Sequence, residues 1–290
     1  MDALTRIERA LEVSVGRLET KSGPPKLSAA IRYAVFPGGA RVRPRLCLAV
    51  ARACGDDEPQ VTDAAAVSIE LMHCASLVHD DLPCFDNADT RRGKPSVHAA
   101  YGECEAVLVG DAMIVMAFET LARTIALVPS RVPGLIFNLT QATGAPSGII
   151  AGQAWECETE INLSEYHRSK TGALFAAATA AGALAAGANP DRWRILGEKI
   201  GEAYQVADDI QDIMADPKTW GKPCGQDEAR GRPNALREFG LDGAAKRLKQ
   251  LLGAAIESIP ECDGADELRA IIMAEAQRFM PKEAMAHAAA

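Results

Sequence analysis

Two clusters of aspartate residues are the strongest chemical signal in the sequence. The first reads HDDLPCFD over residues 79–86. It follows a long apolar segment with helical periodicity, which Pro83 is expected to end. Asp80 and Asp81 would then lie near the C-terminus of a helix, where the macrodipole disfavours negative charge. A neighbouring cation is therefore expected to compensate them.

The second cluster reads YQVADDIQD over residues 204–212 and lies inside a predicted helix. Asp208 and Asp212 are four residues apart and share a helical face, with Gln205 about one turn before them. Like charges at this spacing destabilise an isolated helix by roughly 0.2–0.5 kcal/mol. A function is therefore expected to retain them.

Carboxylate oxygens are hard ligands, which favour Mg²⁺ over zinc. Magnesium usually keeps some waters and takes further ligands from phosphate oxygens, so a phosphorylated substrate is expected. A solvated acidic face is the alternative interpretation of one such cluster. Two clusters, each at the end of an apolar helix and each followed by basic residues, favour the metal site. The eight cysteines show no CxxC spacing, which gives no sign of a zinc site or a disulfide framework.

The elements that must position these clusters are predicted to be helices throughout. Helical periodicity runs from end to end, and no segment alternates as a strand between hairpin turns. We predict an all-α fold with helices over residues 2–20, 26–35, 42–53, 60–81, 103–126, 132–142, 147–159, 164–187, 191–214, 227–239, 242–258 and 264–279. No linker or internal repeat divides the chain, so one domain over residues 1–290 is expected.

The composition narrows the class of protein. The formal net charge of −8 argues against a nucleic-acid-binding protein, which normally presents a basic face. The N-terminal segment lacks the apolar stretch of an export signal, and the Ala-rich run over residues 172–188 is shorter than a membrane span requires. We expect a cytoplasmic protein without a membrane span.

In order and spacing, the motifs resemble those of the trans-isoprenyl diphosphate synthases, also called polyprenyl synthetases. DDLPCFD at 80–86 and DDIQD at 208–212 look like the two aspartate-rich motifs of that family. GGARVRP at 38–44, KTG at 170–172 and GKPCGQD at 221–227 are similar to three further family patterns. The resemblance covers nearly the whole chain. It implies an isoprenoid-synthase helical bundle around a central substrate cavity, assembled as a homodimer.

The resemblance also implies an activity and a role for each matching residue. Such enzymes join an allylic diphosphate to isopentenyl diphosphate through a carbocation, with about three Mg²⁺ ions per active site. The ions would be held by six aspartates: Asp80, Asp81, Asp86, Asp208, Asp209 and Asp212. The allylic diphosphate would also meet Arg91, Lys170 and Lys222. Isopentenyl diphosphate would be held by Arg43, His73 and Arg92. Thr171 and Gln205 would line the site beside the reacting carbons and, with Lys170, form the catalytic set.

One position departs from the family pattern. Ala40 stands where the family's GGKRxRP motif usually has lysine. Losing a cation that contacts a diphosphate weakens binding by about 1.5–3 kcal/mol. Our hypothesis is that Arg41 or Arg45 compensates.

Product length is expected to depend on residues upstream of Asp80 on the same helix. Ala75 and Ser76 lie roughly 6–8 Å below the metal site and are small. Farnesyl-producing relatives commonly have an aromatic residue there, so this stretch resembles bacterial geranylgeranyl diphosphate synthases of carotenoid and chlorophyll pathways. We predict a C20 product made from farnesyl diphosphate or shorter starters, with Met113 or Met116 supplying the deeper stop.

Three other functions share some of these sequence features. A farnesyl diphosphate synthase shares every motif above and differs in product length. A terpene cyclase usually carries an NSE-type motif in place of the second aspartate-rich one. A non-catalytic subunit of a heteromeric synthase is favoured by Ala40 and disfavoured by six intact metal-binding carboxylates.

Overall fold

A computed structural model describes residues 2–36, 38–214 and 235–279, with the side chains of 163, 211–214, 235–239 and 276–279 outside the description. The helices are α1 (Ala3–Gly16), α2 (Pro25–Val35), α3 (Val42–Ala53), α4 (Pro59–Asp80), α5 (Val97–Tyr101), α6 (Glu103–Ala122), α7 (Val132–Thr143), α8 (Ile149–Ala154), α9 (Leu163–His167), α10 (Ala173–Ala185), α11 (Asp191–Met214), α12 (Ala235–Glu257) and α13 (Ala265–Phe279). Two short strands, β1 (Thr90–Arg91) and β2 (Lys94–Pro95), form an antiparallel pair. The all-α prediction is confirmed.

The chain forms two compact units. The first comprises Met1–Leu139 with Ala181–Ala188. At its centre α4 packs most extensively against α6 and α3. Its largest buried apolar side chains include Leu46, Ile69, Leu71, Met72 and Met113. Burying each such side chain stabilises the fold by roughly 1.5–3 kcal/mol.

Helix α4 carries the first aspartate cluster at its C-terminal end. By length and composition it is the one helix among the described residues that could cross a membrane, yet 78% of its apolar stretch is buried inside the protein. A helix that is apolar on most sides suits the centre of a globular unit. Pro59 begins the helix and Asp81 follows its last residue, close to the predicted range of 60–81.

The second unit comprises Thr140–Ala180 with Asn189–Ala290. Here α11 packs against α12 around a core of small and branched residues: Ala203, Ala207, Ile210, Ala244, Leu248 and Leu251. The break expected between 239 and 242 is present inside α12, where Gly240 has a φ of 66°. Most of the helix expected over 227–239 lies outside the described residues.

One part of the second unit departs from the predicted helices. The helix expected over 164–187 is divided into α9, a π-helical turn over Arg168–Gly172, and α10. The segment expected over 147–159 is α8 followed by a 3₁₀ turn over Trp155–Cys157. A π turn accommodates one extra residue in a helix and often marks a functional position. Its formation depends on tertiary contacts that helical periodicity does not report.

Candidate functional site

The first aspartate cluster is folded into a compact turn after α4. The backbone N–H of Asp86 donates to the carbonyl oxygen of Asp80 at 2.8 Å, and that of Ala88 donates to Asp81 at 3.1 Å. Asn87 takes a left-handed φ of 47°, which reverses the chain. As a result, carboxylate oxygens of Asp80 and Asp86 lie within 4.8 Å of each other. Two hard oxygen donors at this spacing fit a magnesium ion.

Arg91 supplies the cation that the helix end is expected to need. Its Nε donates to Asp81 Oδ1 at 3.0 Å, its Nη2 bonds the same carboxylate, and its Nη2 lies 4.0 Å from Asp80 Oδ2. Asp81 is buried, and this burial raises the pKa of its carboxyl group, against the opposing effect of Arg91. The first cluster is thus partly neutralised by the chain itself.

In the hairpin after the first cluster, two consecutive arginines contact different parts of the protein. Arg92 and Gly93 form the two-residue turn between β1 and β2, both with positive φ, as a type I′ turn requires. Arg91, on β1, bonds Asp81. Arg92 lies against Gly39 of the GGARVRP motif, where an added Cβ would come within 3.0 Å of its guanidinium.

The residues predicted to hold isopentenyl diphosphate form a cluster of basic side chains: Arg43, His73 and Arg92. Arg43 Nη1 and His73 Nε2 lie 3.5 Å apart. Burial lowers the pKa of His73 well below its usual value, and the charges of Arg43 and Arg92 lower it further. The imidazole is therefore neutral near pH 7, and the positive charge of the group comes from its two arginines.

Arg41 does not compensate for Ala40, and that part of our hypothesis is wrong. Its side chain is fully buried and pairs with Glu8 at 2.8 Å and Glu70 at 2.6 Å. Its Nη2 also donates to the carbonyl oxygen of Val35 at 2.8 Å. The Arg41 guanidinium is thus committed to two carboxylates, and withdrawing it from them would leave uncompensated charge in the core, so it is not available to a substrate. Arg45 is the candidate that remains.

The residues expected to set product length lie in the α4 and α6 layer. Ala75 is buried, and the Ser76 hydroxyl donates to the carbonyl oxygen of His73 at 2.8 Å. Met113 and Met116 are both buried on α6, the helix that packs most extensively against α4. The two small residues and the two methionines are thus carried by helices that pack against each other.

The second unit brings three predicted residues into one hydrogen-bonded row. The Thr171 hydroxyl donates to Gln205 Oε1 at 2.7 Å, and Gln205 Nε2 donates to Asp209 Oδ1 at 2.9 Å. The π turn and α11 approach so closely that a Cβ on Gly201 would lie 2.7 Å from the Cα of Gly172. Glycine at both positions lets the π turn present Thr171 to α11.

Other predicted residues of the second unit are placed as follows. Asp208 is half-buried beside the buried Asp209 on α11. Asp212 belongs to α11, but its side chain is outside the described residues, as is the whole of Lys222. Lys170 lies in the π turn and forms an ion pair with Glu156, a residue that sequence reasoning missed. In the sequence Glu156 is one of three acidic residues within 156–160, which resembles a solvated acidic surface.

Comparison with known proteins identifies the family. The family model described as polyprenyl synthetase matches residues 24–271. The chain belongs to the polyprenyl synthetase family. A geranylgeranyl diphosphate synthase of Cereibacter sphaeroides is 57% identical over 281 residues, covering 97% of this chain and 98% of that protein. A farnesyl diphosphate synthase of Geobacillus stearothermophilus is 38% identical over 275 residues, covering 90% and 91% respectively.

A solved structure of similar fold is a geranyltransferase of Helicobacter pylori, complexed with magnesium and isoprenyl diphosphate. It has a TM-score of 0.80 and 31% sequence identity, and covers 96% of this synthetase and 98% of that chain. The isoprenoid-synthase fold expected from the motifs is thereby confirmed.

Proposed function

We propose that this synthetase makes geranylgeranyl diphosphate by condensing an allylic diphosphate, either farnesyl diphosphate or a shorter starter, with isopentenyl diphosphate. The observation that carries the proposal is the 57% identity to a geranylgeranyl diphosphate synthase over nearly the full length of both proteins, against 38% to a farnesyl diphosphate synthase. The small residues Ala75 and Ser76 upstream of the first aspartate cluster support the same product.

We propose that Asp80, Asp81 and Asp86, with Asp208, Asp209 and Asp212, hold Mg²⁺ against the allylic diphosphate. The proximity of the Asp80 and Asp86 carboxylates supports this assignment. When bound, about three Mg²⁺ ions would neutralise the charge that builds on the departing diphosphate. Arg91, Lys170 and Lys222 would add positive charge to the same group.

Cleavage of the allylic C–O bond leaves its electron pair on the diphosphate and a cation on the hydrocarbon. In this proposal Arg43, His73 and Arg92 hold isopentenyl diphosphate, whose double bond attacks the cation. Thr171 and Gln205 direct their oxygen dipoles towards the positive charge. The departed diphosphate removes the final proton, so a side-chain base is not required.

The decisive experiment incubates the purified chain with Mg²⁺, isopentenyl diphosphate, and either geranyl or farnesyl diphosphate, and separates the dephosphorylated products by chromatography. We expect the C20 alcohol from both starters. A C15 alcohol from geranyl diphosphate with no C20 from either starter would favour a farnesyl diphosphate synthase. No turnover by the folded chain would favour a non-catalytic subunit.

Ala75→Phe tests the proposed control of product length. The added ring would occupy space along α4, which packs against the helix that carries Met113 and Met116, so we expect the main product from geranyl diphosphate to shift from C20 to C15. Ala66→Phe, at another buried position of α4 further from Asp80, is the matched control for overpacking. An unchanged product ratio in folded Ala75→Phe would remove Ala75 from the proposal.

We further propose that both compact units work as one polyprenyl synthetase domain, since one family model extends across residues of both. A homodimer is supported by the outward face of α6, where Val107, Leu108 and Val115 are 42%, 54% and 65% exposed. Light scattering after size-exclusion chromatography tests this, with Val115→Glu expected to give monomers. We place the protein in the cytoplasm, supplying C20 diphosphate to carotenoid synthesis.

A further inference from the structure

Glu156 gathers two donors on one carboxylate oxygen. Its Oε1 accepts from the Tyr166 hydroxyl at 2.7 Å and forms the ion pair with Lys170 Nζ. Its Oε2 lies 3.4 Å from Gln153 Nε2. The Glu156 and Lys170 side chains are only 12% and 22% exposed, so this is a sheltered pair rather than a solvated surface contact.

Lys170 is held at both ends. At the backbone, α8 packs so tightly that a Cβ on Gly152 would lie 2.4 Å from the Cα of Lys170. At the head group, Nζ meets Glu156 and lies 5.8 Å from the centre of the Tyr166 ring. The Tyr166 ring is itself buried. A lysine side chain is normally flexible, and here the surroundings select one position for its charge.

We propose that Glu156 and Tyr166 are positioning residues that order the Lys170 ammonium before the allylic diphosphate binds. The inference rests on the proposed function, in which Lys170 contacts that diphosphate. An ammonium has three N–H donors, so a bond to Glu156 is compatible with a bond to a phosphate oxygen. The rotamer entropy of Lys170 is then lost during folding and not during substrate binding, which strengthens binding.

Glu156→Gln tests the inference, because the amide keeps the shape of the carboxylate and removes its charge. We expect the Kd of inorganic pyrophosphate with Mg²⁺, measured by titration calorimetry, to rise about tenfold. The KM of the allylic substrate should rise by a similar factor, while the KM of isopentenyl diphosphate stays within about twofold. Tyr166→Phe, which removes one hydroxyl, should raise the same Kd about threefold.

Glu165→Gln is the matched control. It removes a neighbouring acidic partner, since Glu165 pairs with Arg168 in an exposed contact at the start of the same π turn. We expect pyrophosphate binding by this variant to equal that of the wild type. Thermal melting of each variant checks the fold, and Glu156→Asp, which keeps the charge, should recover part of the affinity lost in Glu156→Gln.

Lys170→Ala separates the inference from the proposed function. If Lys170 contacts the diphosphate, Lys170→Ala weakens pyrophosphate binding, and adding Glu156→Gln to it changes little further. A Glu156→Gln loss that persists in full without Lys170 overturns the positioning role, and so does wild-type binding by Glu156→Gln itself. Wild-type binding by Lys170→Ala instead shows that the assignment of Lys170 within the proposed function is wrong.

Discussion

The turn after α4 and the π turn before α10 differ in the hydrogen bonds that hold their predicted functional side chains. In the turn after α4, Asp81 is bonded by the charged guanidinium of Arg91. Along α11, Asp209 accepts from the neutral amide of Gln205, which in turn accepts from Thr171. Charge-assisted hydrogen bonds are roughly twice as strong as neutral ones. The bond between Arg91 and Asp81 therefore joins two charged groups, whereas the row along α11 carries one charged group, Asp209, and reaches Thr171 through a bond between neutral groups.

The largest effect should come from removing a carboxylate of the first cluster. Asp80→Ala deletes one of the two oxygen donors that lie within 4.8 Å of each other, so we expect kcat to fall roughly 10³-fold in saturating Mg²⁺. Steady-state kinetics measure it. Glu198→Gln, an exposed position on α11, is the control with unchanged kcat. A decrease below about tenfold would remove Asp80 from the metal site.

Two glycine-to-alanine substitutions should show that an added Cβ lowers the free energy of unfolding more when it meets backbone than when it meets a side chain. A Cβ on Gly152 would meet the Lys170 backbone, whereas one on Gly110 would meet the His79 ring, which can rotate. We expect Gly152→Ala to lower the free energy of unfolding by about 3 kcal/mol and Gly110→Ala by about 1 kcal/mol.

Gly253→Ala is the control for these two variants, since nothing lies within 4 Å of its added Cβ. It should stabilise α12 by about 0.5–1 kcal/mol. Urea denaturation of all three gives the order. Equal losses in Gly110→Ala and Gly152→Ala would contradict the distinction between a ring that yields and a backbone that does not.

Loss of the neutral hydrogen bond between Thr171 and Gln205 should reduce activity less than loss of a carboxylate from the first cluster. Thr171→Val keeps the shape of the side chain and removes the hydroxyl that donates to Gln205. We expect kcat to decrease about tenfold, the equivalent of one neutral hydrogen bond. Thr171→Ser, which retains the hydroxyl, should stay near wild type. A loss as large as that of Asp80→Ala would mean that the two regions do not differ as described.

Acid stability gives the smallest contrast. Burial lowers the pKa of His167 to about 4, so its neutral form is favoured in the folded protein. The unfolded chain binds a proton near pH 6.5, so this stability is present above pH 6.5 and is lost as the pH falls towards 4. In His167→Gln, the loss of unfolding free energy between pH 7 and pH 5.5 should shrink by about 1 kcal/mol. An unchanged loss would contradict the neutral state.

Local sequence rules predicted most of the helices and the end of α4. Pro83 ended α4 near the predicted residue, and apolar periodicity predicted α3 and α11 with their observed bounds. The motifs also grouped Arg43 with His73, and Thr171 with Gln205, and in the structure each pair is in contact.

The features that sequence reasoning missed depend on contacts between distant segments. Arg41 resembled a substrate-binding cation because the partners that bury it, Glu8 and Glu70, lie far away in the chain. The π turn and the pairing of Glu156 with Lys170 require α8 to pack on the turn. Neither hydrophobic periodicity nor residue type reports such packing.

The type I′ turn at Arg92 and Gly93 has a consequence for the order of events in catalysis. In the proposed function, Arg91 contacts the allylic diphosphate and Arg92 contacts isopentenyl diphosphate. A single peptide bond joins the two arginines. A movement of the hairpin that strengthens the contact of one arginine with its substrate would also move the other arginine. Through the hairpin, binding of one substrate would thus change the affinity of the protein for the other.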